Sequence, residues 1–143
     1  MQNILNLYRD AFSGLPKDIW FLSAVLFVNR CGTMVLTFLI LYLTQELGFT
    51  LAVAGQVLSV YGAGHLLGAW IGGWFCDRVG FLRIQFFSLA FSGLGFLVME
   101  HLQTLPGLLA ITFFVATSAE AFRPANSAAL AALSPPHLRT RAV

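Results

Sequence analysis

The sequence predicts an all-α membrane protein of about four transmembrane helices, and three observations lead there. Mean hydropathy is +0.81. Only 10% of the residues are charged, against about 25% in soluble domains. Apolar stretches of about 20 residues, the length that crosses a bilayer, recur along the chain. Such a composition has too little polar surface to cover a water-soluble globule, so the expected solvent is lipid.

Residues 1–18 contain no apolar core and no small-residue cleavage pattern, which argues against a cleavable signal peptide. Leu5, Leu7, Tyr8, Ala11 and Phe12 suit either a short interfacial amphipathic helix or a frayed tail. Four apolar runs follow, at 19–43, 51–75, 84–102 and 105–133, making 19–133 the transmembrane region. Each is long enough to span, and the first, second and fourth leave room for tilt. The short connections QELGFT, DRVGFLR and EHLQTLPG carry turn residues and predict helical hairpins. The fourth run is interrupted by Glu120, Arg123, Pro124 and Asn126 and ends at Pro135-Pro136. A kinked helix is expected there, since neighbouring groups can satisfy the carbonyl that proline frees. Residues 134–143 read as a cytoplasmic tail, and the chain as a truncated one.

Basic residues orient the spans, because positive charge is retained on the cytoplasmic side. Arg9 and Lys17 precede the first run, Arg78 and Arg83 separate the second from the third, and Arg139 and Arg141 follow the fourth. The other two loops hold no Lys or Arg. This alternation predicts a multi-pass protein of the cytoplasmic (inner) membrane with both ends of the chain inside.

Several function classes fall away. The net charge of +2 and eight scattered basic residues form no stripe for nucleic acid. Cys31 and Cys76 have neither a CxxC pattern nor paired histidines, so no disulfide framework, zinc site or other cofactor is expected. HExxH, GxSxG, paired carboxylates and a histidine cluster are all missing, which argues against an enzyme.

The most specific motif joins the second and third runs. In GGWFCDRVGFLR, Gly73 is followed after three residues by Asp77-Arg78, then by Gly80 and Arg83. Asp77 at a helix end can accept hydrogen bonds from a neighbouring helix's N-terminal amides or pair with basic groups. Gly80 permits a tight turn, and Arg78 and Arg83 anchor the loop at an anionic leaflet. An ordinary positive-inside turn is the alternative. This spacing resembles the signature loop of the major facilitator superfamily, a group of secondary transporters, with Phe81 where the family usually has a basic residue. The resemblance implies a partial six-helix N-terminal bundle, a missing C-terminal transporter half as partner, and a role for Asp77 in latching the two halves closed on the cytoplasmic side. The segment NRCGTMVLTFLILYLTQELGFT looks like the first helix of proton-coupled peptide transporters, keeping Arg30 but carrying Asn29 where that group has an acidic residue. FRPANSA looks like the same group's Lys-Pro helix, with Arg123 for Lys and with Pro124 and Ser127 matching. Drug-proton antiporters of the superfamily fit as well.

Independently of family, charges within spans are costly, about 2.5 to 3.5 kcal/mol each at the bilayer centre on insertion scales, and so mark partners or pathways. Arg30 lies roughly 16 Å into its run, near the midplane. Glu120 lies about midway through its own run, and Arg123 is one helical turn further on the same face. Arg30, Glu120 and Arg123, with Asn29 and Asn126 beside them, are the candidates for binding solute or coupling ions; mutual neutralisation that holds helices together is the competing role. Glu120, the carboxylate near the midplane, is the best candidate to couple proton movement or to bind a cationic solute, and desolvation and a nearby cation act in opposite senses on its proton. Gly64, Gly68 and Gly72 form a small-residue stripe expected to pack helices closely. His65 beside them reads as a packing residue before a titrating one. The third run, whose only charge between Ile84 and Met99 and beyond is Glu100 at its end, is expected to be lipid-facing or peripheral.

The reading reached is a proton-coupled secondary transporter of a small solute, present here as a fragment in contact with the lipid bilayer. A non-transporting four-helix membrane subunit or scaffold is the rival from another class.

Overall fold

The computed structural model describes residues 17–133, with the side chains of Thr33, Leu36 and Thr37 excepted. The expected interfacial segment before Lys17 and the tail after Leu133 lie outside the described residues. The described chain is helical throughout, in the order α1 (Lys17–Thr33), α2 (Val35–Leu41), a wide turn of π type (Tyr42–Glu46), α3 (Leu51–Val79), α4 (Phe81–Glu100), α5 (Leu105–Glu120) and α6 (Phe122–Leu133).

Among the described residues, three stretches are long and apolar enough to cross a membrane: α3, α4 and the combined α5–α6 segment Leu105–Leu133. The first apolar run is not one continuous helix. At Met34 the backbone N–H bonds to the Cys31 carbonyl only three residues back, a tighter turn that separates α1 from α2. Further on, the Leu47 N–H reaches the Tyr42 carbonyl five residues back, widening the last turn before Gly48 reverses the chain at φ +67°.

The remaining ends follow from local chemistry. Thr50 caps α3 by accepting the Val53 N–H at 3.4 Å. Gly80, at φ +92°, ends α3 and opens α4, a backbone conformation that strongly favours glycine. Thr104 precedes α5 and Pro106 sits in its first turn, where a missing N–H costs nothing. The break between α5 and α6 has an equally direct cause. Pro124 offers no N–H to the Glu120 carbonyl four residues back, and its ring crowds that carbonyl, so the helix is interrupted at Ala121.

α5 is the centre of the packing, with α3 on one side and α4 on another, while α6 touches α1, α3 and α4. One apolar cluster of Leu39, Leu43, Ala54, Val57, Met99, Leu108 and Val115 ties α2, the wide turn, α3, α4 and α5 together at the end that carries the loops free of Lys and Arg. Much of the outer surface is apolar, with Leu66, Trp70, Leu82, Phe86 and Leu97 exposed, as expected where lipid is the solvent.

α4 departs from the peripheral role expected of it. Gln85, Ser88, Ser92, Gly95 and Met99 recur three and four residues apart, are buried, and turn one face of α4 onto the rest of the bundle. Ser88 Oγ donates to the Ser118 carbonyl of α5, and Gln85 Nε2 donates to Asn126 Oδ1 of α6 at 3.4 Å. Only the opposite face, with Phe86, Leu94 and Leu97, is exposed to lipid.

Candidate functional site

The site begins with the glycine stripe of α3. A Cβ on Gly64 would stand 2.8 Å from both the Phe113 carbonyl oxygen and the Ala116 Cβ. One on Gly68 would collide with the Thr117 backbone, and one on Gly72 would lie 2.6 Å from the Ala121 Cα. Without side chains at these three positions, α3 and α5 approach backbone to backbone. That approach carries His65, next to Gly64, against Glu120 at the end of α5.

His65 Nδ1 lies 3.0 Å from Glu120 Oε2, and Arg123 Nε lies 2.8 Å from Glu120 Oε1. Each carboxylate oxygen therefore has its own partner, one from α3 and one from the first turn of α6. Glu120 is buried, with 8% of its side chain accessible, whereas the Arg123 side chain is 62% exposed. The Tyr61 ring, one turn before His65, stands with its centroid 4.2 Å from the imidazole. His65 Nε2 is buried without a hydrogen-bond partner among the described residues.

His65, Glu120 and Arg123 line a cavity of about 150 Å³ together with Asn29, Arg30, Asn126 and Ser127. The five residues singled out from sequence as solute or ion candidates, Asn29, Arg30, Glu120, Arg123 and Asn126, thus meet around one space contributed by α1, α5 and α6. His65 of α3 completes the wall. Sequence reasoning ranked this histidine as packing; its only sequence signal was its place beside a glycine stripe in the middle of a span. Depth agrees across the elements. His65 is the central residue of the 29 in α3, and Glu120 is one past the centre of the 29 spanning Leu105–Leu133.

The signature loop is built differently. Asp77 is exposed at the last turn of α3, and among the described residues it makes no hydrogen bond or ion pair. Arg78 folds back over the Trp74 ring, its guanidinium carbon 3.6 Å from the ring centroid, and Arg83 is exposed on the first turn of α4. Gly73 is open, with nothing within 4 Å of where its Cβ would be.

Spanning helices, a Gly-Asp-Arg-Gly-Arg loop and a charged cavity at mid-depth are the context in which the sequence comparison is decisive. The family model of the Major Facilitator Superfamily matches residues 22–143. The chain belongs to the major facilitator superfamily. It is accordingly a multi-pass integral membrane protein of a transporter family, in contact with the bilayer. No curated protein and no solved structure matches it. Within this superfamily chain, the matched stretch takes in the whole charged cavity and the signature loop. The cavity holds one carboxylate, two guanidiniums, an imidazole and two amides, a set suited to exchanging a proton and to binding a charged solute. Among the described residues no group of three or more His, Cys, Asp or Glu side chains is placed to hold a metal ion.

Proposed function

We propose that this chain contributes the first four helices of a proton-coupled secondary transporter of a small solute, with Glu120 as the proton carrier. The observation that carries the reading is a carboxylate buried at mid-depth whose two oxygens are divided between His65 and Arg123 on different helices. Buried charge of this kind is expensive in a membrane and tends to mark solute or ion pathways. If α3 and α6 shift relative to one another, Glu120 exchanges one partner for water or for a proton, and its charge state follows the conformation. The groups around it are Arg30 from α1, His65 from α3 with Tyr61 against its ring, and Arg123 from α6; among the described residues α4 brings the uncharged Gln85 and Ser88, bonded to Asn126 and to the Ser118 carbonyl.

Arg30 and Arg123 are both exposed in this bundle, although their place in the sequence puts them far from either membrane surface. Cations at that depth call for a water-filled cavity enclosed by further protein, which supports a second helical half as partner. On this reading Asp77 latches the two halves closed on the cytoplasmic face, where Arg78 and Arg83 also lie, and both ends of the chain face the cytoplasm.

The test follows solute-driven proton movement in proteoliposomes that hold this chain together with its second helical half and a trapped pH-sensitive dye, while pools of organic acids, amines and sugars are added outside. Protonation of Glu120 loads the carrier, so uptake rises as the outside pH falls. Glu120→Gln abolishes the proton signal while protein level stays near normal. A proton signal retained in that variant returns Glu120 to a purely structural role.

A further inference from the structure

The charged cavity does not stand alone. Beside it is a second cavity of about 180 Å³, and Asn29 and Ala119 line both. The second cavity is mostly apolar in its walls, which include Val28, Leu89, Phe96 and Val115 beside the polar Tyr61 and Ser92, with Gly32 leaving part of α1 open to it. A Cβ on Gly32 would meet only Phe96, at an ordinary contact distance of 3.9 Å. The two spaces together have a cationic end and an oily end.

The charge of the polar end has a definite sign. Among the described residues that line it, Arg30 and Arg123 are the cations and Glu120 is the only acid. Glu120 is already held on both oxygens, and Arg123, which uses Nε for that contact, lines the cavity with its side chain largely exposed. A guanidinium fork recognises carboxylates in two-point fashion. Asn126 and Ser127 add neutral hydrogen-bonding groups on the same wall.

We propose that the solute is a small amphipathic organic acid, its carboxylate drawn to the Arg30 and Arg123 end and its apolar body lodged between Gly32 and Val115. This deepens, and rests on, the reading of the cavity as the transport site. It also gives the proton a reason to travel with the solute. Solute carboxylate and Glu120 carboxylate compete for Arg123, so protonating Glu120 releases the guanidinium to the anion. Proton and anion then enter together with no net charge moved.

Titration calorimetry in detergent of this chain together with its second helical half, with four probes and two variants, tests the idea. Benzoate is expected to bind at least about tenfold more tightly than benzamide or benzylamine, which lack the negative charge, and about tenfold more tightly than acetate, which leaves the apolar cavity empty. Lower pH strengthens benzoate binding. Arg123→Gln removes the preference for benzoate over benzamide, and Gly32→Leu weakens benzoate while sparing acetate. Tighter binding of benzylamine, equal binding of acetate and benzoate, or no binding of benzoate each overturns the proposal. The two readings fail separately. Preference for benzylamine, with Glu120→Gln still abolishing proton movement, removes the organic acid and keeps the coupling site. Preference for benzoate with proton movement unaffected by Glu120→Gln does the reverse.

Discussion

Asp77-Arg78 at the end of α3 and Glu120-Arg123 at the joint of α5 and α6 put the same two charges into two different surroundings. Asp77 is exposed and Arg78 lies on the Trp74 ring, so neither charge relies on the other. Glu120 is buried and has a partner on each oxygen. The contrast teaches that a carboxylate's neighbours are dictated by its depth. Near the bilayer surface, water and headgroups solvate an acid well, and an ion pair adds little. Glu120 is buried away from such solvent, and a buried carboxylate persists as an ion only where the fold supplies partners.

Removing each charge sharpens that contrast. Glu120→Ala has the largest expected effect, because it strips His65 and Arg123 of their shared partner and leaves a cation at mid-depth. A loss of about 2 to 3 kcal/mol is expected in unfolding titrations with a denaturing detergent. A loss below about 0.5 kcal/mol would put Glu120 in the same class as Asp77. Arg78→Ala comes next. It deletes the contact with Trp74, worth about 0.5 to 1 kcal/mol at an exposed site, and the same titration reads it.

Asp77→Asn is expected to have the smallest effect on stability, within about 0.5 kcal/mol, as for a surface change away from any packed feature. Its consequence lies in rate. Under the latch proposal, transport by Asp77→Asn in proteoliposomes is slower at equal protein level and unchanged stability. Transport at the original rate would make the signature loop a simple turn. Together the three variants separate a charge that holds the bundle from one that acts only between conformations.

Much of the midplane site was legible because charge stands out against an apolar run. Arg30, Glu120 and Arg123 announce themselves by cost alone, and the i, i+3 spacing of Glu120 and Arg123 foretells their contact. His65 gave a weaker signal, since an imidazole is tolerated in many settings and its partner is 55 positions away on a different helix. The buried face of α4 was written in the sequence as Gln85, Ser88 and Ser92, but a search for charges passes over neutral polar residues. The break at Met34 had no such signal, because no proline lies within the first run. In the fourth run Pro124 marked the interruption plainly.

The sequence by itself determined that the chain lives in a membrane, roughly where its helices run, and at what depth its charges fall. Hydropathy, proline and the 1.5 Å rise per residue act locally, and sum along a helix whatever lies beside it. Only the tertiary structure decided which charges meet and what they enclose. Partnership depends on how each helix is rotated about its axis and how near its neighbour stands. Here that distance is set by backbone contact at Gly64, Gly68 and Gly72, which brings His65 of α3 within 3.0 Å of Glu120 of α5.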